Sequence, residues 1–115
     1  MSVTIYHNSR CSKSRQTFAL LEEKGVELEV VEYLKTAPDA ATVKSLLSML
    51  GLSPRELMRK GEAVYKENHL ADESLSDDQL INAMVENPIL IERPIVVSNG
   101  KAAIGRPPES VLDIL

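Results

Sequence analysis

His7-Asn8-Ser9-Arg10-Cys11-Ser12-Lys13-Ser14-Arg15 places the only cysteine of the chain among three cations. A sulfur in that company suits nucleophilic attack, because the thiolate rather than the thiol is the reactive form. Free cysteine has a pKa of about 8.5, which basic neighbours or a helix N-terminus lower to roughly 3.5–7.5. Arg10, Lys13 and Arg15 stand within four residues of Cys11, in a chain whose formal net charge is −4. The plainer reading, a buried structural thiol, fits poorly with so basic an island in an acidic protein.

The same residues exclude other thiol chemistry. A dithiol redox motif needs a second cysteine three positions on, where this chain has Ser14, so no internal disulfide can form. A phosphatase-type anion loop would carry arginine six residues after the cysteine, where this chain has Thr17. If Cys11 turns over, an external thiol must resolve it.

The flanking residues say how the sulfur is positioned. Val3-Thr4-Ile5-Tyr6 is β-branched or aromatic and reads as a buried strand. Phe18, Leu20, Leu21 and Val26 follow near helical spacing, with Gly25 placed for a left-handed cap. Cys11 then lies at a helix N-terminus, where unpaired N–H groups and the dipole favour an anion. Leu28–Tyr33 reads as a second strand, parallel to the first across a right-handed helical crossover. That βαβ unit puts Cys11 at the carboxyl end of its first strand, the usual ligand-facing edge.

From Pro38 the pattern turns helical. Asp39 caps a helix with Val43, Leu46, Leu47 and Leu50 on one face and Gly51 as its stop. Ser53-Pro54 opens a short helix carrying Leu57, Met58 and Arg59, closed by Gly61, and a further turn falls near Ala63–Asn68. Ser76 and Gln79 form a capping box for a helix ending before Asn87-Pro88. Ile95–Ser98, Asn99-Gly100 and Lys101–Ile104 read as a hairpin, since both turn residues tolerate positive φ. Pro107-Pro108 ends the second strand, and Glu109–Leu115 reads as a closing helix.

With 115 residues the expectation is a single domain over 1–115, with a helical insert at about 38–87. No apolar run approaches the roughly 20 residues of a membrane helix, and no basic-then-apolar leader opens the chain. Cytoplasmic residence, where a lone thiol stays reduced, is therefore expected, with no membrane partner. Acidic net charge without clustered lysine and aromatic residues argues against nucleic-acid binding, and no ligand cluster points to a metal.

The loop resembles the active-site loop of the glutaredoxin-coupled arsenate reductases, whose members carry His-Asn-x-x-Cys-x-x-Ser-Arg. Leu57-Met58-Arg59-Lys60, Glu92-Arg93-Pro94-Ile95-Val96-Val97 and Gly105-Arg106-Pro107-Pro108-Glu109 resemble further segments of that family, in the expected order. The likeness extends over nearly the whole chain and is nearest to the short chromosomal members. It implies an α/β, thioredoxin-like fold: a mixed four-stranded sheet built as βαβ, helical insert, ββα. In such folds a cis proline precedes the third strand beside the thiol, which makes Pro94 the candidate and turns Arg93 toward the sulfur.

The resemblance also implies a reaction that serves arsenic detoxification. Cys11 attacks arsenate, glutathione as co-substrate reduces the adduct and leaves a mixed disulfide, glutaredoxin removes the glutathione, and arsenite departs. Arg59, Arg93 and Arg106 are assigned to the oxyanion, because planar guanidinium donors fit it and offset its charge. His7 and Ser14 are expected to support the thiolate or the loop and Arg15 to lower its pKa, with Ser14 as a mere helix cap and a solvated Arg15 as the alternative.

Two other functions fit the same fold. Regulators of the Spx type bind RNA polymerase but usually carry the Cys-x-x-Cys that Ser14 interrupts here. A glutathione-dependent thiol oxidoreductase acting on another oxyanion or a protein keeps the single cysteine.

Overall fold

β1 (Ser2–Tyr6) is central because it pairs on both sides. Its β-branched Val3 and Ile5 point to one face and are fully buried. In the computed structural model, which describes residues Ser2–Leu115, β1 leads through a short loop into α1 (Ser12–Glu23) and then β2 (Glu27–Val31). β2 lies parallel to β1, with Val3 opposite Leu28 and Ile5 opposite Val30. β3 (Ile95–Ser98) runs antiparallel on the other side of β1, and β4 (Lys101–Ile104) antiparallel to β3. The resulting order, β2-β1-β3-β4, is a mixed sheet of thioredoxin-like topology.

The chain divides into two compact units, and this sheet with α1 belongs to the first, residues 1–36 and 93–115. Its core gathers Val3, Ile5, Leu21, Val96 and Val111, with Phe18, Val26 and Leu28 packed against them. Two positive-φ residues, Asn99 (55°) and Gly100 (73°), close the β3–β4 hairpin as the Asn-Gly pair requires. The segment after β4 is a 3-10 helix over Pro108–Ile114 rather than an α-helix.

β2 occupies Glu27–Val31, not the Leu28–Tyr33 expected. Pairing to β1 sets this limit: the last strand partner is Tyr6 with Val31, and the chain then turns, with the Lys35 and Thr36 N–H groups both donating to the Glu32 carbonyl.

The second unit is Ala37–Glu92. α2 (Ala40–Leu50) starts at Asp39, which accepts the Thr42 N–H at 2.8 Å, and stops at Gly51 with φ 69°. α5 (Asp77–Glu86) opens with the reciprocal Ser76 and Gln79 capping box and packs against α2. Between them, α3 (Pro54–Leu57) and α4 (Ala63–Glu67) are single turns. Met58 and Arg59, expected on α3, lie beyond it. Met58 forms an antiparallel bridge with Ile91, flanked by hydrogen bonds from Arg59 N to Leu90 O (2.7 Å) and Glu92 N to Leu57 O (2.9 Å). This pairing between distant residues draws Met58 into extended backbone and ends the helix.

Candidate active site

The loop between β1 and α1 is held by its own backbone. His7 N–H donates to Val31 O at 2.8 Å, prolonging the parallel pairing by one bond. Asn8 then accepts twice: its carbonyl takes the Cys11 N–H at 3.0 Å and its Oδ1 takes the Arg10 N–H at 3.0 Å. This asparagine turn delivers Cys11 to the N-cap of α1 in extended conformation, φ −93° and ψ 125°, while its carbonyl accepts the Arg15 N–H. At an N-cap the side chain faces the unpaired N–H groups of the first turn. Here that side chain is a half-buried free thiol.

Burial pushes the Cys11 thiol up, yet it is outweighed. The Ser14 N–H, the Arg93 charge, the Lys13 N–H and a hydrogen bond from the Arg93 side chain together hold the pKa below the ordinary thiol value. Arg106 Nη2 approaches the sulfur at 3.8 Å, a long contact, while Arg106 Nε donates to the Arg93 carbonyl at 2.9 Å. The two arginines are thus tied to each other as well as to Cys11. The Arg93–Pro94 peptide bond is cis, as is Arg106–Pro107, which the sequence reading did not single out.

Ser14 is fully buried, accepts the Asn8 N–H at 3.0 Å and hydrogen-bonds His7 Nδ1 at 2.7 Å. It therefore joins α1 back to the loop. Burial lowers the His7 pKa; Glu32 raises it in part and Arg15 lowers it further, so the ring is held neutral at pH 7. Arg15 lies on the exposed side and donates from Nη1 to the Ser9 carbonyl at 3.0 Å, fastening the loop from outside.

Two neighbours escaped the sequence reading. Gly105 sits so close to α1 that an added Cβ would collide with Thr17 Oγ1 and lie 2.8 Å from Pro94 Cγ. Thr17 is itself fully buried and donates from Oγ1 to the Lys13 carbonyl at 2.8 Å. The available signal was a glycine directly before Arg106, where only hydrogen fits between helix and proline. Arg59 belongs to the second unit, with Nη2 at 3.0 Å from Glu62 Oε2 and its side chain 21% exposed.

The profile of the ArsC family matches residues 6–114. The chain belongs to the ArsC family. Among similar proteins, the uncharacterized protein YfgD of Escherichia coli (strain K12) is 66% identical over 98% of this chain and 96% of its own length. The arsenate reductase of Neisseria meningitidis serogroup A is 48% identical over 98% of this chain and 97% of its own. A solved structure, the arsenate reductase from Vibrio cholerae, is 57% identical and superposes with a TM-score of 0.98 over 100% of this chain and 98% of that one. The matched span contains Cys11, Arg59, Arg93 and Arg106, and its lone cysteine makes the ArsC chemistry of this chain thiol chemistry. Among the described residues no helix is long and apolar enough to cross a membrane.

Proposed function

We propose that this protein reduces arsenate to arsenite through Cys11, with glutathione as co-substrate and glutaredoxin completing the cycle. One observation carries the reading: a sulfur at a helix N-cap, held below its ordinary pKa, with two guanidinium groups beside it. The names borne by its relatives supply the oxyanion.

The Cys11 thiolate attacks arsenic, an As–S bond forms, and one arsenate oxygen leaves as water. Attack by a thiolate on an anion is opposed by repulsion, which Arg93 and Arg106 offset with fixed positive charge. Glutathione thiolate then attacks the Cys11 sulfur. The As–S bond breaks with its electron pair remaining on arsenic, now trivalent, and Cys11 is left disulfide-bonded to glutathione. Glutaredoxin takes the glutathione and returns Cys11 to the thiolate. Arg59 is assigned to the oxyanion by family resemblance, and His7, Ser14 and Arg15 to holding the loop.

The test is a coupled assay with purified protein, arsenate, glutathione and glutaredoxin, in which arsenite is measured. Wild type forms arsenite over many turnovers and Cys11→Ser forms none. A wild-type protein that forms no arsenite overturns the reading, and if it binds purified RNA polymerase the regulator function takes its place.

A further inference from the structure

The reaction needs a second thiol, and the first unit carries a groove beside the catalytic loop that the oxyanion chemistry does not use. Its volume is about 250 Å³, and its lining includes His7, Asn8 and Arg10 from the loop and Glu32, Leu34 and Lys35 from the turn after β2. This is near the lower end of ligand-sized clefts, about 300 Å³. Arg10 directly precedes Cys11, and the Asn8 carbonyl holds the Cys11 N–H at 3.0 Å, so groove and sulfur share one tight turn.

We propose that this groove seats the tripeptide of glutathione while its thiol reaches Cys11. The charges are complementary in number and sign. Glutathione carries two carboxylates and one ammonium at neutral pH, and the groove offers Arg10 and Lys35 as cations and Glu32 as the single anion. Glu32 and Lys35 are 3.5 Å apart with side chains 48% and 77% exposed, so both remain open to exchange partners. His7 is neutral there and adds no competing charge. Leu34, 43% exposed, is one of three large apolar side chains left open among the described residues, and it gives the peptide backbone an apolar rest. An extended tripeptide spans about 10 Å, and the cysteine of glutathione lies between its two charged ends.

The inference rests on Cys11 exchanging with glutathione, not on arsenate being the oxyanion. The experiment therefore omits arsenate. Reduced protein is mixed with oxidised glutathione, or with cystamine, a disulfide lacking carboxylates. The Cys11 thiolate attacks one sulfur, the reagent's S–S bond breaks, the Cys11 mixed disulfide forms, and the other half leaves as thiolate.

Lys35→Ala should slow the reaction with oxidised glutathione about threefold to fivefold, the scale of an exposed ion pair, and leave cystamine unslowed. Lys13→Ala removes a cation outside the groove, and each lysine variant's rate with oxidised glutathione is divided by its rate with cystamine to cancel any change in the Cys11 thiolate, so Lys13→Ala serves as the control for general attraction. Glu32→Gln decides the matter. General attraction makes it faster with the anionic disulfide, whereas loss of the ammonium partner makes it slower. Slowing by Lys35→Ala beyond Lys13→Ala, together with slowing by Glu32→Gln, supports the subsite. Equal effects of the two lysine variants, or acceleration by Glu32→Gln, overturn the subsite and leave Cys11 exchange standing. A wild-type Cys11 that reacts with neither disulfide overturns both.

Discussion

Arg106 reaches the Cys11 sulfur with Nη2 at 3.8 Å while the same guanidinium, through Nε, is anchored on the Arg93 carbonyl at 2.9 Å. One planar group thus spans sulfur and backbone, a geometry that a lysine ammonium, with its single donor centre, cannot reproduce. Arg106→Ala should lower kcat/KM for arsenate about 10- to 100-fold, the scale of one charge-assisted hydrogen bond. Arg106→Lys should recover little of it. Steady-state kinetics on both variants check this, with circular dichroism to establish that each is folded.

Ser14 and His7 give a pH dependence whose sign follows from burial. The folded His7 pKa lies below the usual value, burial being the main cause, so the native state favours the neutral ring. As pH falls through about 6.5 the unfolded chain takes up this proton first, and stability is lost until the folded ring also protonates. Denaturant midpoints should therefore fall between neutral and mildly acidic pH, and less steeply in His7→Gln. Ser14→Ala, which leaves the Asn8 N–H and His7 Nδ1 without their shared partner, should cost about 1–3 kcal/mol in the same measurement.

Gly105→Ala forces a methyl against Thr17 Oγ1 and Pro94 Cγ in a fully packed part of the first unit. It should destabilise by about 1–3 kcal/mol, as overpacking does. Thr17→Ala removes the nearer obstacle, so the double variant should lose less than the two single losses added together. Thermal melts of the four proteins measure that coupling.

Local chemistry made much of the architecture legible. Asn99-Gly100, the Ser76 and Gln79 box, and the Asp39 and Gly51 limits each act within a few residues, and each element they define lies where the sequence puts it. The Cys11 loop was legible for the same reason: a strand, a turn and a helix are adjacent in the chain. What stayed hidden depends on distant partners. α3 stops at Leu57 because Met58 pairs with Ile91, and the place of Gly105 depends on a helix nearly ninety residues earlier in the sequence. The buried face of α1 was legible only in part: Leu21 lies inside and Phe18 packs against the core, as their spacing implies, but Ser14 and Thr17 lie inside too. Polar side chains are taken for surface unless their hydrogen-bond partners are known.

Arg59 and Glu62 form an ion pair at 3.0 Å, with side chains only 21% and 23% exposed. If Arg59 serves the oxyanion, Glu62 competes with substrate for it. Glu62→Gln should then lower the KM for arsenate, and Arg59→Ala should raise it about tenfold. A purely structural pair would instead give two variants with wild-type KM and reduced melting temperature.

The thiolate of Cys11 is the point on which the mechanism turns, and its ionisation can be followed directly by thiolate ultraviolet absorbance or by the pH profile of alkylation. The wild-type midpoint is expected below that of a free cysteine and should rise in Arg93→Ala, which removes both a charge and a hydrogen bond from the sulfur. A Cys11 that titrates like a free thiol, or one whose midpoint does not move when Arg93 is removed, would contradict the account.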